Sequence, residues 1–170
     1  MLILPELVAA LRGVPPWLAT MIIAAFPVAE LRGAIPVAIG IYKLPILATF
    51  TLSILGNMIP AYLLLVFFER VAAWLRTRSR QVDRLLTWLF ARTRRKLERQ
   101  VDQYGFWALA LFVAIPLPVT GAWSGALAAF VFGFPKPKAF LAILVGVIVA
   151  AFVVTVLIVG ADFFLRSLSI

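Results

Sequence analysis

Residues 115–125 read IPLPVTGAWSG. Two prolines and two glycines fall inside a run of 33 uncharged residues, 103–135, where a crossing helix would have its middle. A proline removes one helical hydrogen bond and clashes with the preceding turn. Broken backbone at membrane depth survives only when protein buries it or when it lines a wet cavity. The stretch therefore predicts an apolar segment that breaks and turns rather than one straight crossing.

The surrounding composition places that break in a membrane. The chain has 170 residues, 64% of them hydrophobic, against roughly 45–50% in soluble domains. Residues 44–68 and 139–161 are uncharged over 25 and 23 positions, and about 20 suffice to cross the hydrocarbon core. Because apolar segments recur along the whole chain, a cleaved signal peptide does not explain them. The reading is an all-α integral membrane protein, multi-pass, in the cell (inner or plasma) membrane. Cysteine and histidine are both absent. That removes disulfides, thiolate metal sites, the commonest metal ligand and the commonest proton relay near neutral pH. No metal, no cofactor and no catalytic residue is expected. A hydrolase needs an activated nucleophile with a base, and the P-loop pattern is missing too.

The net charge of +9 is concentrated. Residues 69–102 hold ten of the sixteen Lys/Arg and four of the seven acids. Val71, Leu75, Val82, Leu85, Leu86, Leu89, Leu97 and Val101 recur there at helical spacing, with basic residues between them. The pattern predicts one amphipathic helix, or two with a break at 77–79, lying on anionic headgroups of the lipid bilayer. Each basic residue gains roughly 1 kcal/mol there. Short basic loops beside spans face the cytoplasm, so 69–102 is expected inside. No nucleic-acid partner is expected, because no aromatic-basic binding module is visible.

The basic segment divides the chain into similar halves, 1–68 and 105–170, with 69–104 between. In each half an apolar stretch meets a Pro/Gly break. A shorter apolar stretch, a basic-Pro turn and a long span follow. Gly40 to Lys43 matches Gly133 to Lys136 in spacing. Interrupted apolar segments in both halves are the usual pointer to a transporter's binding site. Residues 17–42 and 105–135 are either re-entrant hairpins, making the halves inverted repeats, or crossings. Basic residues divide twelve inside to three outside in both cases, so charge does not choose. The breaks favour re-entrant hairpins, each followed by a transmembrane helix.

The first break, AELRGAIP at 29–36, holds Glu30 and Arg32 between uncharged runs. On a continuous helix residues two apart point to different sides, and an unpaired charge at mid-membrane costs about 3 kcal/mol or more. An unwound tip would let both face one cavity. Gly33 would supply backbone freedom and Pro36 would sit in the first turn of the next helix. That helix's positive end, with Arg32, would attract an anion.

Glu-Leu-Arg-Gly-Ala-Ile-Pro in the first half and IPLPVTGAWSG in the second resemble the small multi-drug export protein family, over about residues 15–160. That family is thought to be a distant relative of DedA-type membrane proteins. The resemblance implies paired re-entrant hairpins in an inverted repeat, and transport. DedA-type proteins usually carry arginines in the second hairpin region. This chain has none between Gln103 and Pro135, so a two-arginine phosphate clamp does not carry over.

The candidate substrate- and proton-binding residues are Glu30, Arg32, Gly33, Pro36, Asn57, Pro116, Pro118, Thr120, Gly121, Trp123 and Ser124. Glu30 is the one carboxylate deep in the apolar sequence. Burial favours its protonated form and Arg32 its carboxylate, so it either couples transport to H+ (or Na+) or braces the tip. Thr120, Trp123 and Ser124 line a cavity, or the hydroxyls bond back to their own helix. Asn57, with Gly56 and Pro60, interrupts the first long span. It either bonds to a neighbouring helix or lines the cavity. The expected function is a proton-coupled exporter of a small amphiphile. The alternatives are a DedA-like flippase or scramblase for a lipid or lipid phosphate, and a non-transporting scaffold. A homodimer is expected, because two spans and two hairpins make a thin bundle.

Overall fold

The computed structural model describes residues 3–78, 104–116 and 120–168. Among them are seven helices and no strand: α1 (Ile3–Ala10), α2 (Pro16–Ala25), α3 (Glu30–Gly40), α4 (Ile46–Arg78), α5 (Phe106–Ala114), α6 (Ala122–Val131) and α7 (Lys136–Leu168). The amphipathic reading of 79–102 lies outside the described residues, and so does Pro118.

Proline sets the helix boundaries. α2 opens on Pro16, where the missing N–H costs nothing. It stops at Phe26, which is extended at φ −78°, ψ 131°, because a residue before proline is pushed out of the α region. The same rule ends α5 at Ile115, φ −75°, ψ 117°, just before Pro116. α6 ends differently. Gly133 at φ +69° lets its own N–H donate to the Phe130 carbonyl and the Phe134 N–H donate to the Ala129 carbonyl. These two bonds are the Schellman pattern that closes a helix C-terminus.

Length separates two kinds of helix. α2, α3, α5 and α6 have 10, 11, 9 and 10 residues. At 1.5 Å per residue each covers about half of the ~30 Å hydrocarbon core. α4 and α7 have 33 residues each. Their apolar portions, Ile46–Phe68 and Lys136–Ala161, are long and apolar enough to cross. The short helices pair side by side. Ile23 and Ala24 of α2 pack with Ala34 and Val37 of α3, and Leu4, Leu7 and Val8 of α1 close over them. The order short, short, long therefore occurs twice.

The chain forms two compact units, residues 1–59 with 147–170 and residues 60–146. In the first, α4 meets α2 at Gly56. A methyl group there would overlap the Met21 carbonyl oxygen and come within 2.7 Å of the Met21 Cα. In the second, α7 meets α5 at Gly146, where a methyl would lie 2.5 Å from the Ala110 carbonyl oxygen and 2.6 Å from the Val113 Cβ. Each glycine is the eleventh residue of its long helix. Gly125 of α6 likewise meets Val113, which brings the second pair of short helices into contact.

Several expectations are corrected. α4 starts at Ile46 and continues to Arg78, so residues 69–78 extend the long helix instead of opening a separate one. It stays helical through Gly56, Asn57 and Pro60, which therefore do not interrupt the span. The left-handed residues before the long helices are Lys43 (φ +54°) and Gly133 (φ +69°). Conformation thus pairs Lys43 with Gly133, not with Lys136. α1 was not foreseen. Its eight residues show no strong start signal in sequence.

Candidate functional site

The first tip is built from residues 26–33. After Phe26 the chain makes one irregular turn, and the Glu30 N–H donates to the Phe26 carbonyl at 2.9 Å. Glu30 itself opens α3 at φ +44°, a left-handed conformation that costs a non-glycine residue about 1 kcal/mol or more. Its side chain is buried and its Oε2 accepts from Arg32 Nη2 at 3.2 Å. The pair forms although the residues are only two apart, in the first turn of α3 where Glu30 is left-handed. The unwound stretch thus ends before Glu30, one turn earlier than the sequence reading put it.

Two supporting roles change with it. Gly33 lies inside α3, and its backbone is not left-handed. A methyl there would come 2.9 Å from Ala29 Cβ and 3.1 Å from Leu4 Cδ1, so glycine is needed for close approach and not for freedom. Pro36 is the seventh residue of α3, not part of its first turn. With no N–H it cannot donate the helical bond four residues back. The positive end of α3 already has an anion beside it, the carboxylate of Glu30. Arg32 is paired to that same group and stays partly exposed.

The second tip is neutral. Pro116 lies in the turn after α5. Thr120 Oγ1 donates to the Ile115 carbonyl at 2.5 Å across the turn. Gly121 precedes α6, and Ser124 Oγ donates to the Gly121 carbonyl at 3.2 Å. Thr120 thus bonds across to the end of α5, while Ser124 bonds back to the residue preceding its own helix. Trp123 is half-buried beside them.

Asn57 is 1% exposed, and its Oδ1 has no hydrogen-bond partner. The sequence reading missed Thr49 and Ser53, which share its face of α4 eight and four residues earlier. Both are fully buried and their hydroxyls are also unpartnered. The signal was present as three polar residues at four-residue spacing in an apolar helix.

These features define a helical membrane protein with two candidate spans, each preceded by a pair of short helices. The chain belongs to the family described as "Putative small multi-drug export protein", whose model matches residues 30–153, from Glu30 into the middle of α7. No curated protein and no solved structure matches the chain. The family's description is one of export, consistent with a membrane transporter.

Proposed function

We propose that this chain is a proton-coupled membrane carrier exporting a small amphiphilic substrate, with Glu30 as the coupling carboxylate. The observation behind the reading is that Glu30 is the one buried charged residue among the described side chains. It also sits in a strained left-handed conformation at a helix start. Strain of this kind clusters at binding and switching sites. Arg32 holds the carboxylate while no proton or substrate cation is bound. Protonation or a cationic substrate releases Arg32, and the hairpin tip changes conformation with that exchange.

The same reading takes the two hairpins as re-entrant and the two halves as an inverted repeat. Helices that cover half the core, joined at proline turns and packed side by side, suit that arrangement. The basic segment 69–102 then faces the cytoplasm and anionic headgroups. A second copy of the chain completes the thin bundle.

The test is substrate-evoked proton flux in proteoliposomes carrying an internal pH dye, with wild type beside Glu30→Gln. Lipophilic cations are expected to evoke flux in wild type and at least ~100-fold less in Glu30→Gln, the lower end of the range for a lost proton-transfer group. Equal flux in both proteins would sink the coupling role. A lipid flippase is the second reading. It is favoured by an apolar groove of about 780 Å³ in the first unit, lined by Ile46, Leu47, Phe50, Phe152, Val156 and Phe163, a suitable lining for an acyl chain. Under that reading a fluorescent phospholipid changes leaflet and lipophilic cations evoke nothing.

A further inference from the structure

One face of α4 carries Thr49, Ser53 and Asn57 at 0%, 0% and 1% exposure. Thr49 Oγ1, Ser53 Oγ and Asn57 Oδ1 all lack a hydrogen-bond partner. Buried polar groups nearly always have one. A helical hydroxyl can usually bond back to the carbonyl four residues earlier. Thr51, exposed on another side of the same helix, does so to Leu47 at 2.9 Å. Thr20 and Thr155 do so to Pro16 and Ala151, at 2.8 and 2.7 Å. Thr49 and Ser53 make no such bond. The six buried polar or charged residues among the described side chains are Thr20, Glu30, Thr49, Ser53, Asn57 and Thr155. All lie in the first unit.

Spacing decides what such a ladder can hold. Four residues of α-helix rise ~6 Å. A bare hard cation with oxygens at about 2.4 Å bridges at most ~4.8 Å, too little for two rungs. A water molecule with two hydrogen bonds of about 2.8 Å bridges ~5.6 Å, close to one rung. A further acceptor adjoins Asn57. Pro60 has no N–H, so the Gly56 carbonyl loses its helical donor. Hydroxyls both donate and accept. A proton arriving on one side of a Ser or Thr oxygen can therefore be matched by release of the hydroxyl's own proton on the other.

We propose that the Thr49–Ser53–Asn57 face holds a file of water inside the first unit, forming a hydrogen-bonded proton path along α4. The proposal goes beyond Glu30 coupling, and its test uses neither substrate nor Glu30, so each can fail without the other.

The chain has no cysteine, so single thiols report without background. Thr49→Cys and Ser53→Cys are nearly isosteric. Val113→Cys, in the apolar core of the second unit and 2% exposed, serves as the dry reference. The probe is 2-aminoethyl methanethiosulfonate on protein in phosphatidylcholine–phosphatidylglycerol vesicles. Only the thiolate reacts, and apolar burial raises a thiol's pKa. Wetted positions 49 and 53 should therefore react at least ~100-fold faster than position 113. Equal, slow reaction at all three overturns the proposal. Radiolytic hydroxyl-radical labelling of the unmodified protein gives a second measurement should a variant not fold. Met58 is 7% exposed and adjoins Asn57. Water beside it generates radicals in place, so oxidation of Met58 at a rate near that of an exposed methionine is expected. A Met58 protected at least ~10-fold, as dry burial would protect it, overturns the water file.

Discussion

The two sets of short and long helices agree where backbones touch and differ where side chains could act. In each set the first short helix stops before a proline, and the long helix presents its eleventh residue, a glycine, to that short helix. The turns between the short helices diverge. One holds a buried Glu30–Arg32 pair on left-handed backbone. The other is spanned by a hydroxyl-to-carbonyl bond from Thr120. Among the described side chains, every buried polar group lies in the unit that contains the charged turn. Shape is thus held in common by small residues and prolines, while chemistry is carried on one side.

The agreement is the easiest part to break. Gly56→Val and Gly146→Val each force a side chain against backbone or Cβ atoms that have no rotamer to escape into. Overpacking of this kind costs ~3 kcal/mol. Both variants should lose most of their folded yield in detergent, measured by size exclusion and thermal melting. Gly160→Ala is the control. A methyl there meets nothing within 4 Å, so the melting point should hold or rise slightly, because alanine favours helix. If Gly56→Val melts normally while Gly146→Val does not, the two contacts are not equivalent.

The difference between the turns can be sharpened next. Arg32→Met leaves the Glu30 carboxylate buried without its arginine and should cost ~2 kcal/mol, less than a fully buried pair because Arg32 is partly exposed. Combining it with Glu30→Gln should recover at least half of that loss. The coupling is read from melting of the wild type, the two single variants and the double variant. Thr120→Val in the neutral turn should cost only ~1 kcal/mol, the worth of one ordinary hydrogen bond. Additive effects at Glu30 and Arg32 would mean that the ion pair contributes nothing.

Much of this architecture could be read from residue order. The two long apolar runs became α4 and α7, and α5 stops just before Pro116 of IPLPVTGAWSG, because proline acts locally and its effect does not depend on what packs around it. Glu30 stood out for an equally local reason, a charge in an uncharged run. What escaped depended on tertiary neighbours. Gly33 looks like a hinge in sequence and proves to be a contact, since Leu4 approaches from a helix almost thirty residues earlier. Pro36 looks like a helix start, but the helix begins six residues sooner, at the left-handed Glu30. Thr49 and Ser53 look like ordinary hydroxyls on a span. Only their burial without partners sets them apart from Thr51.

The smallest effect tests the loops that feed the long helices. The first passes through Lys43 at φ +54° and the second through Gly133 at φ +69°. A lysine in that region bears a steric cost that glycine avoids, though glycine gives part of it back through the freer unfolded chain. Lys43→Gly should therefore stabilise by about 0.5 kcal/mol. Gly133→Ala should destabilise by about 1 kcal/mol although a methyl there meets nothing within 4 Å. Opposite shifts in melting point would show that φ alone sets the preference at both loops. If Lys43→Gly instead destabilises, the lysine is retained for its charge beside the start of α4. The first loop would then join the first turn as a place where this half of the chain accepts backbone strain to keep a charged side chain in position.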